Sequence, residues 1–409
     1  MLCLVVFNLS CTGFLDQTVD SHQQVCAMSD ISTVNELLEI QTVISKYSHL
    51  FQEPSSLPLE RQCDNTIPLI PGAQPVNVRS YRYAPAQKTE IEKQLAEMLR
   101  QGTIRCSSSP YAYLVLLVKR KHGTWHFCVD YRHLNIIIVK NKHPLPIVEE
   151  LIDELASAQW FSKIDFRSGY HQIRLREGEE QKAAFRTHNG LYEFLVMPFG
   201  LTNATATFQS VMNQIFEPLL RHGVLVFMDD ILVYSPTLES HVELLTQVFD
   251  IVHQHQLFLK FSKCSFSKQE IEYLGHCISA QGVSTEPSKV LAVQHWPLPT
   301  NLKELRGFLG LTGYYRKFII HYDMITRPLT LLLKKGTPFV WTSATEEAFL
   351  WLKQAMVEAP VLAIPDFTKP FVLEIDACDY GLGVVLMQEG HPIAYLSKPL
   401  CPKNQALST

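Results

Sequence analysis

Two adjacent carboxylates, Asp229 and Asp230, interrupt an otherwise apolar stretch, with Val224-Leu225-Val226-Phe227-Met228 before them and Ile231-Leu232-Val233-Tyr234 after. Burying such a pair is costly unless it is paired or bound to a cation. A hairpin resolves the conflict by putting the acids at the turn and the flanking runs in the core. A third acid, Asp165, ends the apolar run Trp160-Phe161-Ser162-Lys163-Ile164. If the strands adjoin, Asp165 and Asp229 converge on one divalent ion and Asp230 completes the site. Oxygen-only ligands favour Mg²⁺ or Mn²⁺. Two such ions suit phosphoryl transfer, one activating a hydroxyl and the other steadying a triphosphate and its leaving pyrophosphate. Taken alone, an Asp-Asp pair is more often an Asx-type turn without metal.

The elements that must position these acids are legible around them. Trp160–Ile164, Val224–Met228 and Ile231–Tyr234 read as buried strands. One amphipathic helix carries Ile91, Leu95, Met98 and Leu99 and stops at Gly102; others run from about Pro146 to Ala156 and from Ser240 to Gln254. Leu114–Lys119 and Trp125–Val129, joined by Arg120-Lys121-His122-Gly123, form a hairpin with a positive tip. Six prolines make residues 53–86 an extended lead-in. Downstream, Thr300–Ile319 is helical with a break expected at Gly310 or Gly313, and Ser343 with Glu346 forms a capping box. Phe371–Asp376, Gly381–Gln388 and Pro392–Ser397 read as three short strands. The order is mixed α+β.

Composition narrows the class. The chain has 409 residues, 46% hydrophobic and only 19% charged, too apolar for a disordered protein and long enough for several cores. No apolar run reaches the roughly 18 to 20 residues of a membrane span, so no membrane association is expected. The ten cysteines are scattered without a CxxC pair, which points to free thiols in a reducing compartment. Cys264, His276 and Cys277 match no common zinc spacing. The start, Met1 to Phe7, lacks the basic flank of a signal peptide and is expected to lie inside a longer reading frame. The net charge of −4 hides a partition: residues 1–60 carry −6, 80–145 carry +7 and 285–335 carry +5. Two basic segments flanking a less basic middle suit a groove for a polyanion, or are solvated helix faces.

Longer stretches decide between the readings of the acids. Ser162-Lys163-Ile164-Asp165-Phe166-Arg167-Ser168-Gly169-Tyr170-His171-Gln172-Ile173 closely resembles the first catalytic motif of reverse transcriptases from gypsy-type LTR retrotransposons. So do Met197-Pro198-Phe199-Gly200-Leu201-Thr202-Asn203-Ala204 and Phe227-Met228-Asp229-Asp230-Ile231-Leu232-Val233-Tyr234-Ser235. Phe127-Cys128-Val129-Asp130-Tyr131-Arg132, Tyr273-Leu274-Gly275-His276 and the run Leu305 to Arg316 extend the match over roughly residues 65 to 409.

The resemblance implies a right-hand polymerase fold of fingers, palm and thumb, then a connection and a truncated RNase H-like domain. Residues 1–64 would be a partly irregular lead-in, 65–160 fingers with an N-terminal arm, and 161–280 palm with a fingers insertion at about 172–200. The thumb would be 281–340, a connection helix 341–366, and 367–409 the first three strands of the last domain. The implied activity is RNA-directed DNA polymerisation, adding dNTPs to a primer 3′-hydroxyl on an RNA or DNA template. By the same resemblance Asp165, Asp229 and Asp230 are the catalytic triad and hold two ions, Mg²⁺ or Mn²⁺. Tyr170 is the steric gate against a ribose 2′-hydroxyl, and Phe199, Gly200 and His126 belong to the nucleotide pocket. Lys119, Arg120 and Lys121 face the triphosphate. Tyr273, Leu274, Gly275 and His276 form the primer grip, and Arg306, Arg316 and Lys317 contact template–primer phosphates. Asp376 is the first acid of the RNase H site. Blander readings are a packed core tyrosine at Tyr170, a solvated hairpin tip for the cations, and core packing for Tyr314 or Tyr315. Implied partners are the template–primer duplex, dNTPs and other pol polyprotein products. The implied location is a cytoplasmic virus-like particle, with the nucleus as alternative and secretion excluded.

Some residues depart from the family pattern. His126 stands where the family usually has Arg, and Thr205 where it has Pro. Tyr113-Leu114 replace Ser-Pro, Ile138 replaces Thr, and Ile375 and Cys378 replace Thr and Ser. None touches the triad. The chain ends before the remaining RNase H acids, so RNase H activity is expected to be absent and an apolar sheet face left open. No protease, nucleocapsid or integrase motif accompanies these residues, and a fragment of a pol polyprotein is expected. The alternative function is a catalytically inert relic that at most binds nucleic acid.

Overall fold

Pro85 sits in the first turn of α1 (Pro85–Arg100), where a missing N–H costs nothing, and the helix buries Ile91 and Leu95. It is seen in a computed structural model that describes residues 38–54, 56–79, 82–119, 123, 125–378 and 381–400. The hairpin-tip residues Arg120 and Lys121 lie outside the described residues. Residues 38–46 are helical and belong to a unit separate from that of residues 47 onward. After Gly102, at φ 70°, come β1 (Ile104–Cys106), β2 (Tyr113–Lys119) and β3 (Trp125–Val129). The helix expected from Pro146 to Ala156 is shorter, α2 (Val148–Asp153). It leads into β4 (Trp160–Asp165) of the central sheet. β5 (Phe185–Arg186) and β6 (Leu191–Phe194) return to the first sheet, whose order is β1-β6-β5-β2-β3. The proline-rich lead-in is extended as expected, tied by single bridges from Asn65 to Leu175, Leu69 to Ile138 and Asn77 to Ala112.

The central sheet is antiparallel. α3 (Ala204–Ile215) precedes β7 (Val224–Phe227) and β8 (Asp230–Ser235); α4 (Leu238–Gln254) and β9 (Ser265–Lys268) follow, and the strand order is β7-β8-β4-β9. α3 packs on β7, and α4 on β8 and β4. α4 begins at the cap Thr237, whose side chain accepts from the Ser240 N–H, and buries Leu245, Val248, Phe249 and Val252 completely.

Fully buried His241 of α4 ties β8 to β4, and Ser162 of β4 carries the tie on to β9. Ser235 donates to the Thr237 carbonyl, so its oxygen accepts from His241 Nδ1 at 2.9 Å. Ser162 accepts from the Ser267 N–H and, with the neutral imidazole's proton on Nδ1, donates to His241 Nε2 at 2.7 Å. Every partner is satisfied only when the imidazole is neutral with its proton on Nδ1. Burial pushes its pKa down to about 4. An unfolded histidine takes up a proton near 6.5, so the unfolded chain binds more protons between those values. Stability is full above pH 6.5 and falls as pH drops toward 4, by ~3 kcal/mol for this residue. Buried His276, also pushed to about 4 by burial with Lys317 adding, gives the same sign. Urea unfolding at pH 7.5 and 4.5 checks this: the loss on acidification should be clearly smaller in His241→Gln.

Beyond the central sheet, β10 (Glu270–Tyr273), β11 (His276–Ser279) and β12 (Gly282–Thr285) form a small meander. α5 (Leu302–Tyr314), capped by Asn301 onto the N–H groups of Lys303 and Glu304, runs unbroken through Gly310 and Gly313. The expected break is absent because the helix is held by buried Leu305, Phe308 and Thr312. Gly313 instead lets Tyr322 approach: a Cβ there would lie 3.3 Å from its hydroxyl. The cap of α6 (Ser343–Val357) is Thr342 with Thr345, one residue before the expected pair, because the threonine hydroxyls engage each other's backbone N–H. One core joins Phe161, Leu225 and Leu232 under the central sheet to Tyr273, Ile278, Phe308, Phe318 and Phe349. The three expected terminal strands are β13 (Val372–Cys378), β14 (Gly381–Gln388) and β15 (His391–Pro399). They leave Leu373, Ile375 and Leu396 exposed at 56%, 63% and 61%.

Candidate active site

Register brings the three acids together. β4 and β8 pair so that Asp165 faces Asp230 directly across the ladder, a Cα separation of roughly 4.5–5.5 Å in an antiparallel pair. Phe227 pairs with Asp230 in the β7–β8 hairpin, which leaves Met228 and Asp229 as its two-residue turn. Asp230 is thus the first strand residue rather than part of the turn. The hairpin sits tightly because buried Gln209 of α3 grips the end of β7 and the first residue of the turn. Its amide oxygen accepts from the Met228 N–H at 2.6 Å, and its amide nitrogen donates to the Val226 carbonyl at 3.0 Å. That clamp supports Met228 at φ 54°, a left-handed conformation uncommon for a residue other than glycine.

The charges around the acids fit a cation site. Burial above all, with Asp230 and Asp165 adding, raises the Asp229 pKa, while Lys263 opposes. Lys263 Nζ lies 2.9 Å from Asp165 Oδ2 and Lys163 Nζ lies 3.0 Å from Asp230 Oδ1. No ready-made three-ligand metal cage exists among the described residues, because two of the acids are turned onto these ammonium groups. An all-oxygen donor set crowded enough to recruit two lysines is what a hard divalent cation would bind.

Asp229 opens into a cleft of about 580 Å³ with His126, Phe199, Gly200, Lys260 and Lys263 on its walls. Tyr170, in the turn Gly169–Gln172 after β4, meets Phe199 edge-on at 4.9 Å and Phe208 at 5.1 Å. Burial and then Asp229 raise its pKa, and a hydrogen bond with Thr205 opposes them. Thr205, one of the departures from the family pattern, therefore lies beside Tyr170. Gly200, at φ 95°, accepts from Asn135 through its carbonyl. Burial, with His126 adding, pushes His171 behind Phe199 down to about 4. Lys119 is exposed, stacked 5.0 Å over Trp125 of its own hairpin, and does not line the cleft. Lys260, Lys263 and Arg167 are cations lining the cleft, Arg167 being paired with Glu53; motif reading missed the two lysines, whose sequence signal was their spacing of three just before Cys264.

The β10–β11 turn consists of Leu274 and Gly275, both at positive φ, 48° and 79°. Tyr273 and His276 flank it as core residues, 0% and 2% exposed, so their side chains do not face solvent. His276 stacks on Tyr314 at 5.3 Å and meets Tyr315 edge-on at 5.7 Å. Arg306 and Arg316 are exposed. Lys317 is half-buried near Glu149 and Asp153, with its pKa lowered by burial. Asp376 is exposed on β13, opposite Gly383.

A four-stranded palm sheet bearing acids on adjacent strands, with the five-stranded sheet and the helical α5 region built around it, is the right-hand polymerase fold. Residues 118–278 match the profile of the reverse transcriptase (RNA-dependent DNA polymerase) family, and residues 341–409 that of the RNase H-like domain found in reverse transcriptase. The chain belongs to the reverse transcriptase family. It is 43% identical over 333 residues to the retrovirus-related Pol polyprotein from transposon 297 of Drosophila melanogaster, an alignment covering 80% of this chain and 31% of that protein. It is 32% identical over 400 residues to the transposon Tf2-3 polyprotein of Schizosaccharomyces pombe, covering 95% and 30%. The chain thus spans about a third of the length of these curated relatives. Among solved structures, foamy viral protease-reverse transcriptase in complex with dsDNA shares the fold with a TM-score of 0.83 at 22% identity, covering 96% of this chain and 84% of that one. No helix among the described residues is long and apolar enough to cross a membrane. Cys63, Cys106, Cys264 and Cys277 are thiols outside any disulfide among the described residues.

Proposed function

We propose that this chain is the RNA-directed DNA polymerase of a gypsy-type LTR retrotransposon, extending a primer 3′-hydroxyl with dNTPs on an RNA or DNA template. The observation that carries the reading is the β4–β8 register, which sets Asp165 against Asp230 with Asp229 at the next turn, open to the cleft. Asp165, Asp229 and Asp230 would hold two Mg²⁺ or Mn²⁺ ions, which would supply activation of the 3′-hydroxyl and charge compensation for the pyrophosphate. Lys163 and Lys263 neutralise Asp230 and Asp165 in the metal-free chain. Lys260, Lys263 and His126 face the triphosphate across the cleft, where fixed positive charge strengthens as water leaves. Tyr170, wedged by Phe199 and Phe208, has little freedom to yield to a ribose 2′-hydroxyl. The Leu274–Gly275 turn grips the primer, while Arg306 and Arg316 meet template–primer phosphates without reading sequence. Foamy viral relatives of this fold were solved on dsDNA and on RNA/DNA hybrid, which supports a duplex partner. The transposon relatives support action in an intracellular particle, alongside other pol products. An inert relic is the less supported reading: His126 and Thr205 leave the register of the acids and the Gln209 clamp intact.

Primer extension tests this. The chain, given an RNA template with an annealed DNA oligonucleotide and Mg²⁺ or Mn²⁺, should incorporate dNTPs. Incorporation should vanish in the double variant Asp229→Asn, Asp230→Asn. Folded chain that binds the duplex but extends nothing in either metal would establish the relic instead, and His126→Arg would be the repair to try.

A further inference from the structure

Two hydroxyls from the end of α5 close on the tip of the β10–β11 hairpin. Tyr314 donates to the Leu274 carbonyl at 2.7 Å and Tyr315 donates to the Gly275 carbonyl at 2.5 Å. The two rings stand at 87° to one another, 5.0 Å apart, and both pack on His276, the residue that follows the turn. The turn is shaped to receive them. A Cβ on Gly275 would lie 3.2 Å from the Tyr315 hydroxyl, a tight approach, and 3.5 Å from the Tyr314 ring, while its φ of 79° is what favours glycine. Leu274 at φ 48° is held in a conformation that costs energy for a side chain with a Cβ, and such strain persists only where surrounding structure over-determines it.

We propose that Tyr314 and Tyr315 are positioning residues, a latch through which the end of α5 sets the orientation of the primer-holding turn. The proposal rests on the polymerase reading above. Its physical basis is the planarity of the peptide group: in a trans peptide the carbonyl and the N–H point in opposite directions. No cis peptide occurs among the described residues. By capturing the Leu274 carbonyl, Tyr314 aims the Gly275 N–H away from α5. By capturing the Gly275 carbonyl, Tyr315 does the same for the His276 N–H, which belongs to the hairpin ladder. The only donor of the pair left for a ligand is then the Gly275 N–H, a neutral group suited to a primer phosphate oxygen. Buried Tyr273, immediately before the turn, lies close enough to Asp230 for the two to interact electrostatically. A shift of the turn is therefore felt one residue from the catalytic acids. Movement of the thumb on a duplex and alignment of the primer terminus become one motion.

The test uses the full chain with Tyr314→Phe, Tyr315→Phe and the double variant, which keep both rings and their packing on His276. Hydrogen exchange of the Glu270–Ser279 amides in the free protein reads the latch without any reliance on catalysis. Exchange about ten-fold faster in the double variant is expected, and unchanged exchange overturns the latch. Single-turnover incorporation from a pre-bound template–primer should fall about ten-fold per hydroxyl, while duplex affinity changes less than about three-fold. Equal losses of affinity and rate, or a wild-type rate in the double variant, overturn the positioning role. Wild-type chain that extends no primer defeats the polymerase reading, and the exchange result then still decides whether the latch exists.

Discussion

Asp165→Asn should reduce nucleotide incorporation by at least about 10³-fold while leaving the chain no less stable, because in the proposed function the residue serves the reaction rather than the fold. The residue is 7% exposed and lies opposite Asp230, with Asp229 at the adjoining turn. In the metal-free chain its charge is one of the causes that hold the Asp229 pKa up, after burial and Asp230. Its favourable contact is Lys263, whose side chain is 54% exposed, and a half-solvated ion pair contributes at most about 1 kcal/mol. Asparagine keeps the shape, removes the repulsion and forfeits only that weak pair. The reaction loses far more: a cation ligand and the alignment it enforces are worth several kcal/mol of barrier, and each ~1.4 kcal/mol is ten-fold in rate. Single-nucleotide incorporation measures the first effect and urea unfolding without metal the second. A readout independent of turnover comes from Mg²⁺ itself. A cation bound only by the folded state raises stability with concentration, and that increment should disappear in Asp165→Asn. A variant as active as wild type would remove Asp165 from the site, and one that unfolds would make it structural.

Gln209→Leu should cost both stability and rate. Its side chain is 0% exposed and makes the two hydrogen bonds that fasten the Met228–Asp229 turn to α3. Leucine fills the space but leaves the Met228 N–H and the Val226 carbonyl buried without their partner, at about 1–3 kcal/mol each. The left-handed Met228 then loses the contact that supports it, and Asp229, next in the chain, loses its fixed direction toward the cleft. Misplacement of a reacting group by about 1 Å costs on the order of 10²-fold in rate, and an effect of that size is expected in single-turnover incorporation. Urea unfolding should show destabilisation of a few kcal/mol. The pattern separates the two residues: Asp165→Asn spares stability and Gln209→Leu does not.

The apolar runs, the placement of the acids at strand ends and the turn residues could all be read locally, since strand period, turn chemistry and the expense of buried charge act over a few neighbouring residues. Sequence therefore determined, by itself, that Asp165, Asp229 and Asp230 each end an apolar run where charge must be tolerated, and that the elements around them are short strands and amphipathic helices. The expected break in α5 and the cap at Ser343 failed for local reasons as well. Glycine in a helix is read as a breaker until the ring it admits, here Tyr322, is known, and two threonines one position earlier competed successfully for the cap. Tertiary structure alone decided the rest. Lys263 reaches Asp165 across 98 residues of chain, Gln209 meets Met228 across 19, and Tyr314 meets Leu274 across 40. Nothing in the spacing of these residues marks them as partners, because their meeting depends on the β4–β8 register and on how α3 and α5 pack against neighbouring strands. Register is set by burial of whole faces, a one-residue slip turns every side chain to the other side, and so the polar partners of the acids follow from the core rather than from any local pattern.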